Sequence, residues 1–370
     1  LQYAAMLPDS DFLLVATRRS GWVESGLPNV SLQSLASYAC GDKSRREFEH
    51  LLARWEQLKS DLMQHDLASV LIRSGALDSF PKFLRDGLMI RDAWLQVFEQ
   101  QPVQAVLCAD DANFSTRIPL LIARARGIPA ISCHHGALDG RHRFRPKQDC
   151  VFLAKSRMER DYMVRWCGVP EENVEFGAPR RVSSFPLAQH ARNRSIIFFS
   201  EPYEAMGGRC LEFYREILPR LAETAAAAGN ELVVKLHPAE SLAQRTGFVA
   251  QVLSNAQKDN VHIVSGPLTD ELLSHAWFAV TVLSTTAVDC TLRGIPVFLC
   301  QWLEYCQYEY VQQFAKFGAG IVLHSTDELR DIPKLMRNVQ PSSTNDLWNP
   351  ITPDRLKALL TSSAVIAEAV

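Results

Sequence analysis

Short apolar runs alternate with longer amphipathic segments along almost the whole chain. The runs are rich in β-branched and other apolar residues and end in polar residues, which is typical of strands buried on both faces. In the longer segments the apolar residues recur with a helical period, as at Leu84, Leu88 and Leu95 in the segment 81–100. This alternation indicates βαβ units, and it predicts an α/β protein with parallel sheets covered by helices on both faces.

The alternation occurs twice, on either side of a break. In the first half, strands are predicted at 11–17, 68–74, 104–110, 129–135 and 150–156, and helices at 44–64, 81–100, 115–126 and 156–167. In the second half, strands are predicted at 195–202, 231–238, 261–266, 277–284, 296–302 and 320–325, with a long helix at 208–228. The break, 177–194, contains two prolines and four arginines without clear periodicity, and it predicts an interdomain linker near 179–194.

The two halves predict two Rossmann-like doubly wound domains that face a cleft, and 370 residues are enough to build both. The predicted first domain spans 1–182, and the predicted second domain spans 195–352. The tail, 353–370, follows a Thr-Pro-Asp start signal. It is predicted to form a helix that packs back on the first domain.

Composition limits the class of protein. Apolar residues make up 47% of the chain and charged residues 22%, the balance of a folded globular protein. A net charge of −2 creates no overall field that would recruit nucleic acid. The nine cysteines include no Cys-x-x-Cys pair and no spacing suited to zinc, which favours buried thiols in a reducing, cytoplasmic setting. No apolar stretch approaches the length of a membrane span.

Charge is unevenly distributed along the chain. Eleven basic and four acidic residues lie between Arg117 and Arg165. Such a segment is either a solvated helical face or a patch for an anionic lipid, glycan or phosphate. The second interpretation places the cytoplasmic protein at the inner membrane surface, where a few basic residues suffice for attraction to anionic lipid.

Polar residues follow three of the predicted strands, at the carboxyl ends where ligands gather in a parallel α/β sheet. They are His134-His135-Gly136, Lys235-Leu236-His237-Pro238 and Ser284-Thr285-Thr286. Hydroxyl residues ahead of a helix either cap its free N–H groups or, together with those groups, bind a phosphate. A histidine at a strand end can donate to a phosphate oxygen, although a lone histidine is more often structural.

Carboxylates near the first motif are candidates for a general base. Asp110 and Asp111 follow the strand at 104–110, and Asp139 follows the His-Gly motif. Adjacent acidic residues are also commonly just solvated. Asp289, in the helix after the Ser-Thr-Thr motif, either points toward a ribose or base or is a surface carboxylate.

Together these motifs resemble the GT-B-fold transferases of bacterial surface polymers, in particular the CDP-glycerol glycerophosphotransferase and capsular polysaccharide glycosyltransferase group. The pattern of that group appears here in the same order as His135-Gly136, Gly177-Ala178-Pro179-Arg180, Lys235-Leu236-His237-Pro238 and Ser284-Thr285 with Asp289 and Pro296. The resemblance covers residues 100 to 302. The group commonly has Trp-His-Gly or Gln-His-Gly, whereas Cys133 and His134 precede His135 here.

The resemblance implies a metal-independent glycosyltransferase without a cofactor, whose first domain lies on the acceptor side and whose second domain binds the nucleotide donor. Such an enzyme moves a sugar or polyol phosphate from a CMP-, CDP- or UDP-activated donor to a cell-surface polysaccharide or lipid-linked acceptor. The implied donor-binding residues are Lys235, His237, Pro238, Ser284, Thr285, Thr286, Asp289 and Arg180, and the implied catalytic candidates are His135, Asp139, Asp110 and Asp111. Nucleotide-sugar 2-epimerases share the fold and a similar second-domain signature. A UDP-sugar 2-epimerase and a non-catalytic nucleotide- or glycan-binding subunit therefore stay open as alternatives.

Overall fold

The chain folds into two α/β units, each built around its own parallel sheet. The computed structural model describes residues 1–17, 26–39, 44–108, 114–133, 136, 138, 140, 143, 150–179, 195–206, 208–305, 308–336 and 346–362. Residues 180–194 lie outside these ranges, so the linker and the domain limits stay predictions.

The first unit contains a four-stranded parallel sheet in the order β3-β4-β5-β6 and a separate parallel pair, β1 and β2. Its strands are β1 Phe12–Ala16, β2 Val30–Ser34, β3 Val106–Cys108, β4 Ala130–Cys133, β5 Val151–Ala154 and β6 Val174–Phe176. Its helices are α1 Arg45–Leu62, α2 Asp66–Arg73, α3 Phe80–Gln100, α4 Phe114–Ala125 and α5 Arg157–Asp161, which continues as a π-helical turn over Tyr162–Trp166.

The second unit contains a six-stranded parallel sheet in the order β12-β11-β10-β7-β8-β9. Its strands are β7 Ser195–Phe199, β8 Glu231–Lys235, β9 Val261–Val264, β10 Ala276–Thr281, β11 Val297–Cys300 and β12 Ile321–Leu323. Its helices are α6 Cys210–Ala227, α7 Leu242–Val252, α8 Asn255–Lys258, α9 Asp270–Ser274, α10 Thr286–Thr291, α11 Tyr310–Lys316 and α12 Ile332–Leu335. A last helix, α13, spans Pro353–Thr361.

The core of the second unit lies around its central strand. All five residues of β7 are buried. On α6 the buried residues Phe213, Ile217 and Leu221 recur every four positions and form the stripe that packs on the sheet. Strands that are buried this completely consist of nearly continuous apolar residues, which is why the strands of this half could be predicted from the sequence. The structure confirms the predicted α/β class with two Rossmann-like units.

One predicted strand is wrong. The segment 68–74 lies in the helix α2, Asp66–Arg73. A short apolar run does not distinguish a strand from a helix by periodicity alone. The end charges favour the helix, because Asp66 lies in its first turn and Arg73 in its last, where each complements the helix dipole. The strands β2 and β6 also lie outside the predicted set.

The last helix completes the first unit rather than the second. Ile351, Leu356 and Leu359 share a buried cluster with Ile131 of β4 and Leu153 of β5. The backbone that leads into α13 is hydrogen-bonded to the end of β6, since the Ile351 N–H donates to the Ala178 carbonyl at 2.9 Å. The first unit therefore includes residues from both sides of the second unit in the sequence.

Candidate functional site

The strand order of the second sheet defines a crevice at the carboxyl ends of β7 and β10. From β7 the chain adds β8 and β9 on one side, and then returns to add β10, β11 and β12 on the other. Adjacent strands whose connections leave in opposite directions leave a gap outside their carboxyl ends, and this switch point is where open α/β sheets bind ligands. The predicted donor-binding motifs at 235–238 and 284–286 follow β8 and β10, one on each side of β7.

A buried carboxylate supports the loop that follows β10. Glu201, just past the end of β7, accepts hydrogen bonds from the Thr281 hydroxyl at 2.9 Å and the Leu283 N–H at 2.8 Å. Tyr305 donates its hydroxyl to the other carboxylate oxygen at 3.1 Å. Complete burial raises the pKa of Glu201, and the hydrogen bonds only partly offset this effect. The buried carboxyl therefore holds the backbone just before Ser284 in place.

The hydroxyl groups of the Ser-Thr-Thr motif partly bond to one another at the start of α10 and partly stay able to donate to a ligand. Ser284 Oγ accepts the Thr286 N–H at 3.3 Å and the Thr286 hydroxyl at 2.9 Å, so it caps the start of α10. Its own proton is free to donate. The Thr285 hydroxyl makes no hydrogen bond within the described residues and is half-buried. Two hydroxyl donors thus stand at the carboxyl end of β10.

His237 has a defined tautomer. Its Nδ1 accepts the Ala239 N–H at 3.1 Å, so the neutral ring carries its proton on Nε2. Partial burial lowers the pKa of His237, and Lys235 lowers it further against the opposing effect of Glu240. The imidazole is consequently neutral near pH 7, with Nε2–H as a donor that has no partner among the described residues.

A second buried carboxylate fixes the turn that carries His237. Glu240 accepts the His237 N–H at 2.7 Å on one oxygen and the Ser200 hydroxyl at 2.7 Å on the other. Arg245 is itself buried. Its Nε donates to Glu240 at 2.6 Å, and its two terminal nitrogens donate to Glu204 at 2.7 and 2.8 Å. This ion-pair network ties the turn after β8 to the end of β7.

The remaining predicted donor residues differ in their surroundings. Lys235 is buried, and its ammonium donates to the carbonyls of Leu236 at 2.8 Å and Gly266 at 2.6 Å. Burial lowers the pKa of Lys235. Pro238 is exposed next to His237. Asp289 is partly exposed, and its carboxylate lies 3.8 Å from the guanidinium of Arg293. Lys235 thus supports the loops beneath the crevice.

Five predicted site residues lie outside the described residues: His135, Asp139, Asp110, Asp111 and Arg180. Two described residues on either side of Asp139 in the sequence contact the second unit. Leu138 is buried within the core cluster of the second unit. The Gly140 N–H donates to the Tyr310 hydroxyl at 2.7 Å. Leu138 and Gly140 are thus held against the second unit.

Other contacts join the two units beside this segment. The Tyr162 hydroxyl donates to the Tyr308 carbonyl at 2.6 Å. Gln313 donates to the Met158 carbonyl at 2.9 Å. Lys316 pairs with Asp161 at 2.6 Å. Residues of α5 and its π-helical extension therefore form a polar and aromatic junction with α11.

Four of the eight basic residues that the structure describes in the segment 117–165 lie within 3.3 Å of a carboxylate oxygen, namely Lys155, Arg157, Arg160 and Arg165. Two of the partners, Glu171 and Asp346, lie outside the segment. They add negative charge that the count between Arg117 and Arg165 leaves out. No helix in the described ranges has the length and hydropathy of a membrane span. Within the same ranges, no cluster of three or more His, Cys, Asp or Glu side chains could hold a metal ion.

No protein-family model and no curated protein sequence matches the chain. Solved structures do. A Listeria monocytogenes protein assigned as a UDP-N-acetylglucosamine 2-epimerase has 11% identity and a TM-score of 0.53 over 76% of this chain and 78% of that one. S. aureus MnaA, solved with UDP, has 12% identity and a TM-score of 0.52 over 74% of this chain and 80% of that one.

The UDP-GlcNAc 2-epimerase from Neisseria meningitidis, solved with UDP-GlcNAc, is similar over nearly its full length. It has 13% identity and a TM-score of 0.50, over 95% of this chain and 97% of that one. The chain has a GT-B-type fold. At these identities the similarity establishes the fold alone, so activity has to be argued from the site.

Sequence reasoning missed the GT-B crevice's supporting residues, which are Glu201, Glu240, Arg245, Tyr305 and Tyr310. Only Glu201 carried a local signal, as an acidic residue directly after the apolar run of β7. The others contact the site from distant parts of the chain.

Proposed function

We propose that the protein is a glycosyltransferase that takes a sugar or polyol phosphate from a nucleotide-activated donor. One observation carries the proposal. His237 Nε2–H, Ser284 Oγ–H and Thr285 Oγ–H are donors without acceptors in the described residues, at strand ends on both sides of β7. Donors at the carboxyl ends of β8 and β10, on the two sides of β7, are complementary to an anion such as a nucleotide diphosphate.

The chemistry of transfer uses these donors on the leaving group. As the bond from the transferred group to the donor's phosphate breaks, its electron pair leaves with the nucleotide and negative charge grows on the phosphate oxygens. The His237 Nε2–H, on a turn that Glu240 holds, and the Ser284 and Thr285 hydroxyls stabilise that charge. The acceptor hydroxyl attacks from the first unit and loses its proton to a base.

The base is proposed from the sequence, among His135, Asp139, Asp110 and Asp111. Because the donor groups line the second unit, a base on the side away from the leaving phosphate has to come from the first. We rank His135 and Asp139 first, since Leu138 and Gly140, which flank Asp139 in the sequence, contact the second unit. Alanine at either position is expected to abolish turnover while nucleotide affinity is retained.

A second candidate is a UDP-sugar 2-epimerase. It is favoured by the similar solved structures, since those with TM-scores of 0.50 to 0.53 include 2-epimerases. Epimerisation also breaks the bond between the sugar and the nucleotide, so the same donors would serve it. The two reactions differ in whether an acceptor is consumed.

The deciding experiment offers CMP-, CDP- and UDP-activated donors in deuterated water, with and without a glycan or lipid-linked acceptor on anionic vesicles. Nucleotide released only when acceptor is present supports the transferase. Deuterium entering at sugar C2 without acceptor overturns it in favour of the epimerase. Nucleotide binding with neither reaction identifies a binding subunit. Omitting the vesicles tests whether the protein works at a membrane surface, as the basic segment predicts.

A further inference from the structure

The loop after β11 reaches both the donor crevice and the first unit. Its Tyr305 hydroxyl donates to Glu201, the carboxyl that braces the loop before Ser284. Five residues later, the Tyr310 hydroxyl accepts the N–H of Gly140 from the first unit. A single short segment of the second unit therefore touches the predicted donor loop at one end and the segment after β4 at the other.

Three independent features hold the first-unit segment at this contact. Leu138 is only 4% exposed and packs into the core of the second unit. The Gly140 N–H is satisfied by Tyr310 at 2.7 Å. A side chain at Gly140 would not fit, because a Cβ there would lie 2.6 Å from the Tyr308 ring and 2.8 Å from the Tyr162 hydroxyl. The backbone of the segment thus lies directly against the rings of the second unit.

The position of Tyr310 is itself strongly constrained. The backbone N–H groups of Tyr310 and Val311 oppose the rise that burial causes in the pKa of Glu304. Glu309, just before Tyr310, has a left-handed backbone with φ of 55°, which is uncommon for a non-glycine residue.

We propose that Tyr310 is a positioning residue. Its hydroxyl anchors the backbone at Gly140, so that this part of the first unit is held at a fixed distance from the donor crevice. The proposal rests on the proposed function, since it assumes that chemistry occurs between the two units. It acts through backbone geometry and not through contact with the reacting atoms. Loss of the anchor should therefore slow turnover without weakening the nucleotide's own contacts.

The test replaces Tyr310 with Phe, which removes the hydroxyl and keeps the ring. We expect kcat to fall at least fivefold, while the Kd for nucleotide and the binding stoichiometry stay within twofold of the parent. Unchanged stoichiometry shows that the loss of kcat does not come from an unfolded fraction. Hydrogen exchange at the Gly140 amide should become at least tenfold faster. This second readout needs no turnover.

Two matched controls separate the anchor from general packing. Tyr308→Phe removes a hydroxyl that makes no hydrogen bond in the described structure, and it should match the parent in every readout. Tyr162→Phe removes a different hydrogen bond across the same junction. It should lower the melting temperature but leave kcat and Gly140 exchange unchanged. Gly140→Ala, which forces the segment off Tyr308, should reproduce the kcat loss even if Tyr310→Phe does not fold.

The proposal is overturned if Gly140 exchange is unchanged in Tyr310→Phe, or if kcat matches that of Tyr308→Phe. It is also overturned if Tyr162→Phe lowers kcat equally, because the effect would then belong to the junction as a whole. Failure of the proposed function is distinct. A parent protein that turns over no donor removes the catalytic role, while Gly140 exchange still decides whether the anchor exists.

Discussion

Two buried carboxylates lie close together in the second unit and are stabilised by opposite means. Glu201 is surrounded by neutral donors, namely the Thr281 and Tyr305 hydroxyls and the Leu283 N–H. Glu240 forms an ion pair with the buried guanidinium of Arg245 at 2.6 Å. The main difference is the presence of a cation.

The difference shows how burial acts on an acid. Without a cation, removal from water disfavours the charged form, and the pKa of Glu201 rises. With a guanidinium in contact, the charge is compensated where it lies, at the cost of desolvating both ions. Glu201 therefore holds its loop through hydrogen bonds from neutral donors, whereas Glu240 depends on a charged partner. The two carboxylates are linked through the chain, because Ser200, the residue before Glu201, donates its hydroxyl to Glu240.

The largest effect is expected from removing the cation. Arg245→Met leaves Glu240, whose side chain is fully buried, without its counter-ion. Breaking one side of a buried pair costs about 3–5 kcal/mol in the free energy of unfolding, measurable by urea denaturation. Arg209→Met, which removes an exposed pair with Glu212, serves as the control and should change stability little. Equal losses in the two variants would show that the Arg245 network is not a special feature.

The next largest effect is expected at Glu201, where substitution by alanine should lower the free energy of unfolding more than substitution by glutamine. Glu201→Ala leaves the buried Leu283 N–H and Thr281 hydroxyl without an acceptor, at about 2–4 kcal/mol in total. Glu201→Gln keeps one acceptor oxygen and the volume, and it should cost less than half as much. Urea denaturation at pH 6 tests both. A Gln variant as unstable as the Ala variant would mean that Glu201 acts as an anion.

A smaller effect is expected at the turn that Glu240 supports. His237→Ala removes the Nε2–H donor proposed to bind phosphate, and should weaken nucleotide binding by about 1.5–3 kcal/mol, the scale of a hydrogen bond to a charged group. Calorimetric titration with CDP and UDP provides the measurement. Alanine at exposed His262, on β9, is the matched control. Nucleotide affinity that survives the change at His237 would remove this residue from the site.

The smallest effect is a dependence on pH. Because the pKa of folded Glu201 is raised above 4.5, its contribution to stability is complete below pH 4.5 and is lost as pH rises through the folded pKa. Relative to Glu201→Gln, the parent should lose up to about 1.4 kcal/mol per pH unit across that window. His237 has the opposite sign, with its contribution lost as pH falls below 6.5, but it cancels in the difference. A constant difference would contradict a raised pKa.

Much of the fold was predictable because β7, β8, β10 and β11 are mostly apolar runs, and such runs indicate buried strands without any information from distant residues. The site was only partly predictable. His237 and Ser284 could be found because they follow such runs directly. Arg245 could not, because a basic residue in a helix normally points to solvent. Its burial depends on Glu204, forty-one positions earlier.

Lys235 illustrates the same limit in the other direction. Its place at the end of β8 predicted contact with a donor phosphate. The structure directs its ammonium to the Gly266 carbonyl, after β9, because the two strands end side by side in the sheet. The path of the loop after β9 decides this contact, and residue spacing around Lys235 contains no information about that path. Whether Lys235 also contacts a donor stays a prediction.

The way α13 completes the first unit also bears on the order in which the chain can fold during synthesis. Part of the core of the first unit is formed by Ile351, Leu356 and Leu359. These residues leave the ribosome only after the whole second unit has been synthesised. Contacts of such long sequence separation carry a high loop-closure entropy and form late. The second unit, whose strands pair mostly with near neighbours in sequence, can reach its native packing first. It would then act as the template on which the earlier half of the polypeptide closes.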